Sequence, residues 1–138
     1  MSVDLAKYVA AFYSTWLFRL ERLVLRMAGY PSSDAEACAL GQGMSQSFAA
    51  WTMQARTNDQ LLMRDVTGAT CSWLMVQPLA GGTRLYFGSG VRLRAKRDGG
   101  DACLPWTYRA LMGLHLLYSR ALLAAVGGRL ARERTSAA

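Results

Sequence analysis

The sequence predicts an α+β domain in which helices near both ends of the chain pack on an antiparallel sheet. This prediction rests on the spacing, in residues, at which apolar side chains recur along the chain. The spacing is near 3.6 up to about residue 40, changes to 2 between about residues 47 and 95, and becomes helical again from about residue 105. With 138 residues the chain is long enough for one domain with a real core. We therefore predict a single domain over residues 1–138, with a polar tail from about residue 129.

The first element is predicted to be one long amphipathic helix over residues 4–28, which Gly29 and Pro31 would end. One arc of this helix is apolar and is expected to face the core. It contains Leu5, Val9, Phe12, Tyr13, Trp16, Leu20, Leu23, Val24 and Met27.

Arg19, Arg22 and Arg26 lie on the other side of this helix. A solvated helix face is one interpretation of the three arginines. Contact with an anionic group, such as a carboxylate, a phosphate or a membrane surface, is the other. Glu21 lies between Arg19 and Arg22 and is expected to form surface ion pairs with the arginines, which are worth little.

A short second helix is predicted over residues 34–40, because Ser33 and Glu36 have the spacing of a capping box. Four strands should follow as a meander, over residues 47–56, 60–66, 69–77 and 83–94, with turns at Asn58-Asp59, Thr67-Gly68 and 80–82. One face of the last strand is expected to be buried, and it holds Leu85, Phe87, Ser89, Val91 and Leu93.

The final helix is predicted to run from about Pro105 to Val126, where Gly127 and Gly128 should stop it. It is apolar on nearly all sides, which predicts burial on more than one side, either because the sheet wraps around it or because a second chain covers it. It also carries His115, the only histidine of the chain.

Composition narrows the classes of function. The net charge of +7 would attract nucleic acid, anionic lipid or an acidic ligand. No RNP-like, zinc-finger or helix-turn-helix pattern accompanies the charge, so there is no strong nucleic-acid signal. Three widely spaced cysteines without a CxxC pair argue against disulfides and a zinc site. We see no signal peptide and no transmembrane segment, and we expect a cytoplasmic protein without a metal or cofactor.

The candidate site centres on His115, because no catalytic motif is present elsewhere in the sequence. Ser119 lies one helical turn further on, and Ser89 could face both residues from the sheet. His115 could act as a general acid-base, or it could be a core residue with a satisfied hydrogen bond. The ligand-binding residues would be His115, Ser119, Ser89, Phe87, Met112 and Leu122.

The segments RLERLVLR, YPSSDAEACALGQG, GGTRLYFGSGV and LHLLYSRALL resemble a small bacterial domain family of unknown function, over about residues 9–130. The order of elements is also similar to the helix-grip superfamily, which includes START lipid-transfer domains, polyketide cyclases and pollen-allergen hormone binders. The resemblance implies a sheet curved around the C-terminal helix with a hydrophobic cavity between them. This chain opens with a helix and has four predicted strands, so the resemblance implies an incomplete helix grip.

Three functions remain open at this point. The first is a binding module that holds an apolar or aromatic small molecule, or a lipid, between sheet and helix. The second is a cyclase or isomerase that uses His115 as general acid-base. The third is a structural or partner-binding protein that forms a homodimer through the C-terminal helix or the sheet edge.

Overall fold

Four helices and one antiparallel sheet make up the part of the chain that the structure describes, which confirms the α+β class. The structure is a computed structural model; it describes residues 2–91 and 106–136, with side chains for residues 2–90, 116–133 and 135. The helices are α1 (Leu5–Tyr13), α2 (Trp16–Met27), α3 (Asp34–Gly41) and α4 (Trp106–Ser136). The strands are β1 (Ser47–Phe48), β2 (Trp51–Arg56), β3 (Gln60–Asp65), β4 (Thr70–Leu79) and β5 (Gly82–Val91).

The sheet has five strands in the described residues, in the order β1-β2-β3-β4-β5. The predicted meander is thus present, but the count of four strands was wrong. The stretch 47–56 is two strands, because the chain turns at Ala49, whose φ is +49°. Phe48 then pairs with Trp51, and the turn buries Phe48 in the core. Alternation alone could not show this turn, since Ala49 and Ala50 are not typical turn residues.

The predicted N-terminal helix is also two elements, separated at Ser14 and Thr15. The Thr15 hydroxyl accepts a hydrogen bond from the Phe18 amide and so caps α2. The last carbonyls before the break accept bonds from distant arginines, Tyr13 from Arg22 and Ser14 from Arg129. These bonds satisfy carbonyls that an unbroken helix would have used internally.

The break turns the apolar face of α2 away from the core. Phe18 is its only buried residue, whereas Trp16, Leu20, Leu23, Val24 and Met27 are exposed. The expectation that these five residues face the core was therefore wrong. The expectation is confirmed for the first half of the arc, because Leu5, Val9, Phe12 and Tyr13 of α1 are buried.

Helix α4 passes through the two glycines that were expected to end it. It continues to Ser136, so the predicted stop at Val126 was wrong. Tertiary contacts beyond the glycines account for the difference. Leu130 is buried, Arg129 bonds to the Ser14 carbonyl, and Glu133 lies 3.7 Å from the Lys7 amine. These contacts offset the weak helix preference of glycine.

The core lies between one face of the sheet and the helices α1, α3 and α4. Helix α1 is central, since it contacts α3, α4 and β4. Helix α4 packs on α1 and β5, as predicted, but Leu116 and Leu117 on it are exposed. The predicted strand end at 92–94, the loop at 97–101 and the helix start at Pro105 lie outside the described residues.

Candidate functional site

A cavity of about 220 Å³ lies between the sheet and the helices α1, α2 and α4. Three larger depressions, of about 350, 450 and 610 Å³, are more open to solvent. The smaller cavity is lined by residues from all three helices and three strands: Phe12, Tyr13, Phe18, Glu21, Trp51, Thr70, Ser72, Phe87, Ser89, Tyr118 and Leu122.

Small side chains on the inner face of the sheet make room for this cavity. Leu74 on β4 pairs with Phe87 on β5, and these two residues fill the space beneath α1. One step along the same face, Ser72 pairs with Ser89. Because inward residues alternate with outward ones, the two serines occupy positions where large apolar side chains would otherwise pack. Both serines line the cavity.

Aromatic rings form most of the wall. The Phe12 ring lies 4.8 Å from the Phe87 ring, and the Phe18 ring lies 4.9 Å from Tyr13 and 5.8 Å from Trp51, measured between centroids. Such contacts hold each ring in place against its neighbours. The wall is therefore rigid and mostly apolar, which is typical of sites for small organic ligands.

One carboxylate interrupts this apolar wall. Glu21 of α2 accepts a hydrogen bond from the Tyr118 hydroxyl of α4, and the pair joins residues 97 positions apart. Burial raises the pKa of Tyr118, and the hydrogen bond to Glu21 and its charge raise it further. Tyr118 thus stays protonated as a donor at neutral pH. A carboxylate has several acceptor positions, so one carboxylate can accept hydrogen bonds from more than one donor.

The hydroxyl of Tyr13 is buried, and no described residue offers it a hydrogen-bond partner. Burial raises the pKa of Tyr13, with smaller contributions from the charge of Glu21 and from Tyr8. Tyr8 on the same helix is different, because its hydroxyl donates to the Tyr86 carbonyl at 3.0 Å. An orphaned buried hydroxyl is uncommon in proteins and marks the wall of this cavity as incompletely satisfied.

The sequence-predicted ligand residues are brought together in part. Phe87, Ser89 and Leu122 line the cavity, and Ser119 is half-buried on α4. The side chains of Met112 and His115 lie outside the described residues, so their predicted roles, and an acid-base role of His115, stay predictions.

The sequence predicts that Glu21 forms surface ion pairs and that Tyr13 faces the core. Only the packing of α1 and α2 against α4 places these two residues in one cavity wall. The signal that could have found them is the Ser14-Thr15 pair, because a helix break there turns Glu21 inward.

The three arginines of the predicted anion contact line the depression of about 610 Å³ beside α2. Arg19 and Arg22 both form ion pairs with Asp34. Burial opposes ionisation of Asp34, but the hydrogen bonds and charges of Arg22 and Arg19 outweigh it and lower its pKa. Arg22 also donates to the Ser32 carbonyl at 2.7 Å, so it holds α2 against the start of α3. Anion binding by Arg19, Arg22 and Arg26 stays a prediction.

In the described residues no cluster of three histidine, cysteine or acidic side chains could hold a metal ion. None of the helices in that part of the chain is long and apolar enough to cross a membrane. No protein family, curated protein or solved structure was found to match this chain. The resemblance to the helix-grip superfamily therefore stays a prediction.

Proposed function

We propose that the protein is a binding module for a small aromatic or apolar molecule that carries one hydrogen-bond donor. The observation that carries this proposal is the partly enclosed cavity of about 220 Å³, whose described wall is largely aromatic and contains the Glu21 carboxylate. A dry cavity of about 150 Å³ in another protein accepts benzene. The volume here is thus sufficient for one substituted ring or a short aliphatic chain, and too small for a long lipid.

The chemistry of the wall supports a preference among such ligands. Glu21 is the acidic residue in the wall, and it can accept a hydrogen bond from a hydroxyl or an amine. Aromatic rings such as Phe18 and Trp51 also attract a cationic amine through their faces. An anionic ligand would be repelled by the carboxylate and would lose its hydration without compensation. The proposed order of affinity is therefore benzylamine and phenol before toluene, with benzoate last.

Isothermal titration of these four compounds tests the proposal. The wild-type protein should give a saturable one-to-one isotherm with phenol or benzylamine. Ser72→Leu should abolish it, because the larger side chain fills the cavity from the sheet. Ser47→Leu is the matched control, since Ser47 is an exposed strand residue outside the cavity, and it should bind as wild type.

Two further variants keep the test decisive. Ser89→Leu replaces Ser72→Leu if that protein does not fold, because Ser89 is exposed and also lines the cavity. Glu21→Gln keeps an acceptor for Tyr118 but removes the charge. It should lower the affinity for benzylamine by roughly tenfold. The proposal fails if no compound binds, or if Ser72→Leu and Ser89→Leu bind as well as wild type.

A further inference from the structure

The outer face of α2 is a continuous apolar surface on a helix that is otherwise well attached to the protein. Its five residues, defined here as the α2 face, are between 55 and 77 per cent exposed. They recur at spacings of three and four and so form one stripe: Trp16, Leu20, Leu23, Val24 and Met27. A contiguous apolar stripe of this kind marks an interaction site, whereas single exposed apolar residues need no explanation.

Cationic side chains flank the α2 face. Arg19 and Arg26 are exposed and lie along one border of the stripe, because they stand three residues from Trp16 and Leu23. Arg19 is paired with Asp34, whereas Arg26 forms no ion pair with a described residue. The acidic residue of the helix, Glu21, is half-buried and bonded to Tyr118. The chain as a whole carries +7. An apolar stripe that includes a tryptophan, bordered by arginines, is typical of helices that lie in the interface of anionic membranes.

We propose that the protein binds the surface of anionic lipid membranes through the α2 face. The apolar stripe would enter the boundary between headgroups and acyl chains, while Arg26 contacts lipid phosphates. This inference goes beyond the binding of a small molecule, because it concerns the surface of α2 that points away from the cavity.

A second copy of the chain fits the α2 face less well. The face belongs to a 12-residue helix, about 18 Å long, which is short for a dimer interface by itself. Arg26 at the border of such an interface would need an acidic partner, and the nearby carboxylates of Glu21 and Asp34 are already bonded within their own chain. Two surfaces of the same positive charge would also repel each other. Charge complementarity therefore favours an anionic membrane.

Flotation with lipid vesicles tests this proposal on the full chain. The protein should float with vesicles of phosphatidylcholine mixed with phosphatidylglycerol, and much less with phosphatidylcholine alone. High salt should weaken the binding, because it screens the arginines. The variant Leu20→Gln/Leu23→Gln/Met27→Gln should lose at least about tenfold in affinity for the anionic vesicles.

A matched control separates the α2 face from apolar exposure in general. Met44, Val66 and Leu79 are also exposed but lie away from α2, in two loops and at the end of β4. Their triple replacement by Gln should leave vesicle binding unchanged. For the charge, Arg26→Gln should weaken binding, whereas Arg84→Gln, on the exposed start of β5, should have a smaller effect.

Three results would overturn the proposal. The first is absence of binding to the anionic vesicles, and the second is equal binding to both kinds of vesicle. The third is a dimer in analytical ultracentrifugation that the α2 triple variant abolishes, which would assign the α2 face to a second copy. The variant Ser72→Leu, which fills the cavity, should float as wild type, so the outcome is independent of the small-molecule proposal.

Discussion

At the scale of single residues, Ser72 and Ser89 form a pair of small side chains in the wall of the cavity. Both residues point to the inner face of the sheet, where their neighbours on the same strands, Leu74 and Phe87, pack into the core. Replacing two apolar side chains by serines forfeits packing energy, since a gap leaves the surrounding atoms without contacts. The two serines lie in the same cavity wall as the Glu21 carboxylate, and the proposed binding function rests on this arrangement.

Two tyrosines on α1 allow a comparison within one helix. Tyr8→Phe should lower the free energy of unfolding by about 1 kcal/mol, because it removes the hydrogen bond to the Tyr86 carbonyl. Tyr13→Phe should leave stability unchanged or raise it, because the Tyr13 hydroxyl has no partner among the described residues. Urea unfolding of the two variants measures both effects. A loss in Tyr13→Phe as large as that in Tyr8→Phe would show that Tyr13 has a partner in solution.

Part of the candidate site could be predicted from the sequence at the scale of single residues. Alternation along β5 correctly placed Leu85 and Phe87 toward the core, because a strand has a fixed period of two. The position of Glu21 in the cavity wall could not be predicted in the same way. A carboxylate between two arginines is typical of a surface residue, and only the contact of α2 with α4 shows its bond to Tyr118.

At the scale of elements, the helices show where local rules compete with tertiary contacts. The capping box of Ser33 and Glu36 was predicted and is present, because it depends on residues three apart. The break between α1 and α2 depends on Arg22 and Arg129, which reach the α1 carbonyls from elsewhere. The apolar stripe of α2 correctly indicated a helix, but amphipathicity alone does not tell which face meets the protein.

Two glycines within α4, Gly127 and Gly128, allow a test of whether this helix is continuous. A methyl group added at Gly127 or Gly128 would enter open space on α4. The substitutions Gly127→Ala and Gly128→Ala should therefore each raise the free energy of unfolding by roughly 0.5–1 kcal/mol. Denaturant unfolding of each variant measures the change. A loss of stability in both would mean that α4 does not continue through these positions.

Gly41 at the end of α3 is the matched control for this prediction. A methyl group at Gly41 would lie 2.5 Å from the Ala6 carbonyl oxygen of α1. Gly41→Ala should thus destabilise the protein, because the backbones of α1 and α3 would have to separate. The two substitutions should change the free energy of unfolding in opposite directions. This difference would distinguish Gly41, which lets two helix backbones approach closely, from Gly127, which α4 merely tolerates.

At the scale of the whole molecule, the fold class and the meander were predictable, because they follow from periods and turns along the chain. The packing of helices around the cavity was not, since it depends on contacts between residues far apart in sequence. Phe12 from α1, Trp51 from β2 and Leu122 from α4 meet in one wall. The molecule thus combines a partly enclosed, largely aromatic cavity on one side of α2 with an exposed apolar stripe on the other.

A crystal structure of the protein grown with a bromophenol tests the central claim most directly, because anomalous scattering locates the bromine atom. The account predicts the bromine inside the cavity, with the phenol hydroxyl within hydrogen-bond distance of Glu21. It also predicts that crystals of Ser72→Leu show no bromine there. Bromine found only at other places on the protein, or a cavity occupied equally in Ser72→Leu, would contradict the account.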